Sequence, residues 1–121
     1  MRNLSLYLKD IVDAMSAIEK FVEGMDFETF KHDDMKTSAV IRKFEIIGEA
    51  AKSVPGSIKQ KYPSIPWKDM AGMRDRLIHF YFGIKYELVW SAIKDVMPGV
   101  KVSISKILED LEGRKNEGRT G

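Results

Sequence analysis

Arg74, Asp75, Arg76, His79 and Tyr81 can all do chemistry, and they fall within eight positions of one another in the stretch MRDRLIHFYFG at 73–83. An imidazole that titrates near neutrality can take a proton from a ribose 2′-hydroxyl or deliver one to a leaving oxygen. A guanidinium can hold a phosphate through two parallel hydrogen bonds and offset the charge that builds on a pentacoordinate phosphorus. An arginine and a histidine therefore suit phosphodiester cleavage by a route that needs no metal ion. The plainer account is packing. Leu77, Ile78, Phe80 and Phe82 are interleaved with the polar groups, and one wet helix edge would explain the rest.

Helical spacing sharpens the choice. At about 100° per residue, Arg74 and Tyr81 lie on one face, whereas Arg74 and His79 diverge by about 140°. Asp75 and His79 are neighbours at i,i+4, where a carboxylate can orient an imidazole. Convergence of Arg74 and His79 needs a distortion towards Gly83, a long side chain curling round the helix, or a second copy of the chain.

Other chemistries are poorly served. His32 and His79 are the only histidines, the chain has no cysteine, and the carboxylates lack ligand spacing, so neither a metal centre nor a cofactor is expected. HDD at 32–34 reads as a helix cap. No serine has a base in a strand–turn–helix elbow, and PGS and AGM are too short to cradle a phosphate.

The elements that position the motif read as helices. Leu4, Leu8, Ile11, Met15, Ile18 and Val22 form a seam at alternating spacings of four and three. After a break at Gly24, a cap at Asp33 or Asp34 opens a second seam, Val40, Phe44, Ile47, Ala51 and Val54, and the two predict an antiparallel hairpin. Gly48, Ala50 and Ala51 leave that second helix nearly bare for a neighbour. A third long helix is predicted from about Trp67 to Phe82, with Pro66 in its first turn. A further helix carries Tyr86, Val89, Trp90, Ile93 and Met97 and is expected to stop at Pro98–Gly99, with a last one over Val100–Leu111. No segment alternates at period two. The expected fold is an all-α antiparallel bundle of four to five main helices, one domain over 1–112 with a flexible polar tail at 113–121.

Composition narrows the setting. The absence of cysteine excludes a disulfide framework and a thiolate nucleophile. No run of about 18 apolar residues exists, and Lys9 and Asp10 interrupt the opening MRNLSLYLKDIVDAM. A soluble, cytoplasmic protein away from the membrane is expected. The formal charge of +2 hides an asymmetry: residues 9–34 hold eight acids against three bases, and residues 57–86 hold six bases against two acids. The basic segment contains the motif, which fits an anionic ligand.

RDRLIHFY carries an R-x4-H-x-Y pattern that resembles the signature of HepT-like proteins, a branch of the HEPN superfamily of helical ribonuclease domains. SAVIRKFEIIGEAAKSVP and KYPSIPWKDMAGMRDRLIHFYFGIKYELVW extend the resemblance over 38–90. It implies a toxin of a prokaryotic toxin–antitoxin pair that cuts RNA without a metal, with Arg74 and His79 catalytic and Asp75 and Arg76 supporting. It further implies a minimal nucleotidyltransferase antitoxin that transfers AMP to Tyr81, and a homodimer whose two motifs face a shared cleft. Two other readings stay open: a non-catalytic helical adaptor for a nucleotidyltransferase or nucleotide, and non-specific nucleic-acid binding through the basic segment.

Overall fold

Leu8, Ile11, Met15, Ile18 and Val22 are all buried, and they form the inner side of α1 (Leu4–Phe21) and its C-cap. The computed structural model describes residues 3–79 and 84–120, by backbone alone at 77–79 and 114–120. Asn3 caps α1, its side chain accepting from the Ser5 N–H at 3.0 Å. Gly24, at φ 76°, turns the chain where a side chain would be strained. A helix that the periodicity does not reveal follows, α2 (Phe27–Lys31), capped by Asp26 through the Thr29 N–H at 2.8 Å.

Asp33 then caps α3 (Asp34–Ser53), accepting from the Lys36 N–H at 2.9 Å. HDD thus serves as the expected cap. The Lys36 Nζ lies 5.9 Å from the centroid of Phe21, so α3 begins where α1 ends and the pair is antiparallel, as the two seams predict.

The connection to the next long helix is a built corner. After α4 (Gly56–Lys61), the Ile65 N–H donates to the Tyr62 carbonyl and the Trp67 N–H to the Ile65 carbonyl. The buried Trp67 indole also donates to the Tyr62 carbonyl, at 3.1 Å. That ring locks the start of α5 (Trp67–His79), whose first carbonyl, from Pro66, takes the Met70 N–H. The predicted end of this helix, at 80–83, lies outside the described residues.

The last rod corrects one expectation. α6 (Tyr86–Ser91) does not stop at Pro98–Gly99; it passes through a π-helical segment, Ala92–Val96, into α7 (Met97–Thr120). A proline in a regular helix drives its ring against the carbonyl four residues back, here Lys94. The π segment sits where that clash would arise, and the Met97 N–H reaches the Ala92 carbonyl instead. The under-wound turn lets the rod continue.

Lys101 pairs with Glu19, so α7 starts beside the end of α1. Phe30 of α2 is fully buried against Trp90 (5.1 Å between centroids) and Tyr86 (6.4 Å), which pins α6 to the hairpin turn. The described residues thus form an all-helical bundle of four main rods, α1, α3, α5 and α6–α7, with no strand among them. None of their helices is long and apolar enough to cross a membrane.

Candidate active site

α5 presents three different faces, and each is set by what lies against it. The inner face meets α3. A Cβ on Gly48 would collide with the Cβ of Arg74 and lie 2.8 Å from the Met70 carbonyl oxygen, so the two backbones touch because Gly48 has no side chain. This is the close approach that Gly48, Ala50 and Ala51 predict, and the neighbour is the motif helix itself. Arg74 is therefore fixed at its root by α3.

The second face is polar. Lys68, Gly72, Asp75 and His79 repeat at spacings of four, three and four, one side of a helix at about 100° per residue. A shallow cleft of about 700 Å³ runs along it, with Lys52 of α3, Lys59 of α4, Lys68, Gly72 and Asp75 in its lining. Asp69 also borders this cleft.

The Arg74 side chain links the two faces. Its Nη1 donates to the Asp75 Oδ1 at 3.0 Å, with the arginine 30% and the aspartate 46% exposed. The guanidinium thus leaves the inner face and reaches the carboxylate that lines the polar cleft. The long arginine side chain thus passes from the inner face of the helix to the polar one. The backbone of His79 ends α5 one turn beyond Asp75 on that polar face; Tyr81 lies outside the described residues.

On the third face lies a cleft of about 600 Å³ whose lining includes Met70, Met73 and Arg76 of α5 together with Phe44 and Ile47 of α3. Arg76 is thus separated from the Arg74–Asp75 pair. The far wall is a stripe at every fourth residue, Ile84, Leu88, Ala92, Val96 and Val100. On a regular α-helix such a stripe would drift by about 40° per step. The under-wound π segment turns it back, so all five residues border one cleft, yet Leu88 stays 63% and Val96 51% exposed.

The lysines of the polar cleft were only half visible in the sequence. Lys59 and Lys68 belong to the basic segment that charge counting finds; Lys52 belongs to the preceding helix and joins them through the α3–α5 contact.

A bundle of four helical rods with R-x4-H on the third defines a HEPN-type protein. The chain belongs to the ribonuclease HepT-like family, whose model matches residues 11–107. It is 43% identical over 113 residues to a candidate RNase of Methanocaldococcus jannaschii, covering 93% of each chain. It is also 45% identical to a candidate ribonuclease HepT of Thermococcus cleftensis, over 84% of this chain and 92% of the other. A candidate RNase of Caldanaerobacter subterraneus is 40% identical over 85% of this chain and 92% of its own length. No solved structure is a significant match.

Proposed function

We propose that the protein is a metal-independent endoribonuclease, the toxin of a prokaryotic toxin–antitoxin pair, silenced by AMP transfer to Tyr81. One observation carries the nuclease reading: the Arg74 guanidinium is drawn to Asp75, on the face and one turn from the position of His79. His79 takes the proton from a ribose 2′-hydroxyl, and the 2′-oxygen attacks the adjacent phosphorus. The bond to the 5′-oxygen breaks, that oxygen takes a proton from solvent water, and a 2′,3′-cyclic phosphate is left. Arg74 holds the non-bridging oxygens as their charge grows, where a fixed donor is worth most. Family membership and the relatives named as candidate RNases support this reading.

Incubation of defined RNA with the protein in EDTA tests it. Cleavage is expected to continue in EDTA and to fall by at least 100-fold in Arg74→Ala and in His79→Ala. Full activity in either variant sinks the mechanism. Tight binding of a minimal nucleotidyltransferase with no RNA cleavage, by protein free of AMP, favours the adaptor reading instead.

At about 100° per residue, the spacing of seven between Arg74 and Tyr81 would put both on one side of a helix. An adenylate there would set an anion where the scissile phosphate must bind, blocking it by charge and bulk. Tyr81→Phe is expected to keep cleavage and to lose the mass of AMP on incubation with the antitoxin and ATP; a Tyr81→Phe protein that the antitoxin still switches off overturns the assignment.

We further propose that a homodimer forms through the apolar cleft. Asp69 and Arg76, two turns apart on α5, both border it, and such a pair is self-complementary about a twofold axis, each acid meeting the twin's base. Leu88→Lys with Val96→Lys is expected to halve the mass seen by light scattering; an unchanged mass removes this face as the interface.

A further inference from the structure

Lys52, Lys59 and Lys68 come from three helices and a span of seventeen positions, yet they border one cleft. Lys52 and Lys68 are exposed, and three cations gathered in water repel one another unless an anion comes between them.

Gly72 on the floor of this cleft is the second observation. It lies inside α5, where glycine is unfavourable by about 1 kcal/mol relative to alanine. Gly48 has a packing reason for lacking a side chain; Gly72 has none, because a Cβ there would meet nothing within 4 Å. A bare stretch of helix facing open space is what a ligand lying flat against the backbone needs.

The third observation is direction. Lys68, Gly72, Asp75 and His79 succeed one another along one side of α5, and Asp75 holds the Arg74 guanidinium. The cleft therefore leads from the lysines towards the arginine and the histidine position. The acidic residues of its lining are Asp69 and Asp75, and Asp75 is offset by Arg74.

We propose that the Lys52–Lys59–Lys68 cleft, floored by Gly72, is the track on which the RNA backbone crosses α5, its phosphates flanking the one that is cut. This rests on the nuclease reading for its substrate and goes beyond it in naming where the strand lies. The lysines act on binding, and Gly72 gives the strand room to approach.

The test reads binding apart from cleavage. A fluorescein-labelled single-stranded RNA of about twelve nucleotides is titrated with full-length His79→Ala protein in EDTA, by anisotropy, over a range of salt. Each lost single-strand phosphate contact lowers the slope of log K against log salt by about 0.7. Lys52→Gln with Lys59→Gln and Lys68→Gln is expected to lower the slope by about 2 and the affinity at least tenfold. Lys9→Gln with Lys20→Gln and Lys106→Gln, on α1 and α7, removes equal charge and is expected to change the slope by less than half as much. Gly72→Leu is expected to weaken binding at least fivefold with the slope kept and the thermal midpoint no lower.

An unchanged slope in the cleft variant overturns the track, as does an equal loss in the α1 and α7 variant or the absence of RNA binding. The two readings fail separately. An unchanged slope removes the track even when Arg74→Ala and His79→Ala abolish cleavage, while a reduced slope in a protein that cuts no RNA keeps the track and removes the nuclease.

Discussion

Two glycines on neighbouring helices serve opposite ends. At Gly48 the backbone of α3 lies so near α5 that a methyl group would strike the Arg74 Cβ and crowd the Met70 carbonyl. At Gly72, on the far side of α5, a methyl group would touch nothing. The first glycine closes a contact and the second leaves a surface open, and Arg74 runs from one to the other. Its root is clamped against α3, while its guanidinium lies in the pair with Asp75. An arginine has enough rotatable bonds to wander, and fixing its first carbons limits the entropy lost when the head is placed. The difference teaches that the motif arginine is positioned from behind, by a helix that carries none of the motif.

The largest effect should come from closing the gap at Gly48. Gly48→Ala forces a Cβ against a backbone oxygen and a side-chain root, neither of which can rotate away. Overpacking of this kind costs about 1–3 kcal/mol, and the helix gain of alanine over glycine, about 1 kcal/mol, offsets part of it. A fall of the urea midpoint is expected, with RNA cleavage lost further than the folded fraction accounts for. An unchanged midpoint would mean that α5 can step off α3, and the contrast between the two glycines would collapse.

Next comes the corner that aims α5. Trp67 is buried, and its indole donates to the Tyr62 carbonyl. Trp67→Phe removes that donor and part of the ring. A loss of about 1–2 kcal/mol is expected from the lost hydrogen bond and the smaller side chain, measured by thermal unfolding. Cleavage by the folded protein should fall as well, since the corner sets where the polar face begins. A variant that loses stability but cuts RNA normally would confine the aiming of α5 to Gly48.

Much of this was legible in the residue pattern. The α1 and α3 seams announce themselves because each keeps a helical period over several turns, and Asp33 and Pro66 stand where a helix must begin. The bare run Gly48–Ala51 signals a close neighbour, though not which one. α2 escapes because it has five residues and one buried side chain, Phe30, too few to make a period. The continuity of α6 with α7 escapes because Pro98–Gly99 is an ordinary stop signal, and only the π segment before it, a tertiary compromise, lets the helix pass. In the site, the 140° between Arg74 and His79 is true of the backbone, yet the Arg74 guanidinium reaches the Asp75 carboxylate on the polar face. Register fixes where a residue leaves the helix, not where three methylenes later its head arrives. Lys52 is hidden for the same kind of reason, since its distance from Lys68 along the chain says nothing of the cleft they share.

Opening and closing can also be told apart in the other direction. Gly72→Ala places a methyl group in free space on a helix interior, so a gain of about 0.5–1 kcal/mol is expected. The check is a rise in the urea midpoint with no change in the slope of the transition. A loss of stability would reveal a contact on the polar face and bring Gly72 closer to Gly48 in kind.

The smallest change in stability, and the most direct probe of how the two faces communicate, is expected from Asp75→Asn. The ion pair is nearly half exposed on the aspartate side, and exposed pairs contribute about 0–1 kcal/mol. The isosteric amide can still accept from Arg74, so the midpoint should move by no more than about 0.5 kcal/mol. Cleavage should respond more, because a neutral partner holds the guanidinium less firmly over the polar face; a tenfold loss corresponds to about 1.4 kcal/mol at the transition state. Asp75→Glu, which restores the charge on a longer arm, should recover part of it. Equal activity in the wild type and Asp75→Asn would mean that the clamp at Gly48 alone positions the arginine, and that the carboxylate on the cleft side has no part in holding its head.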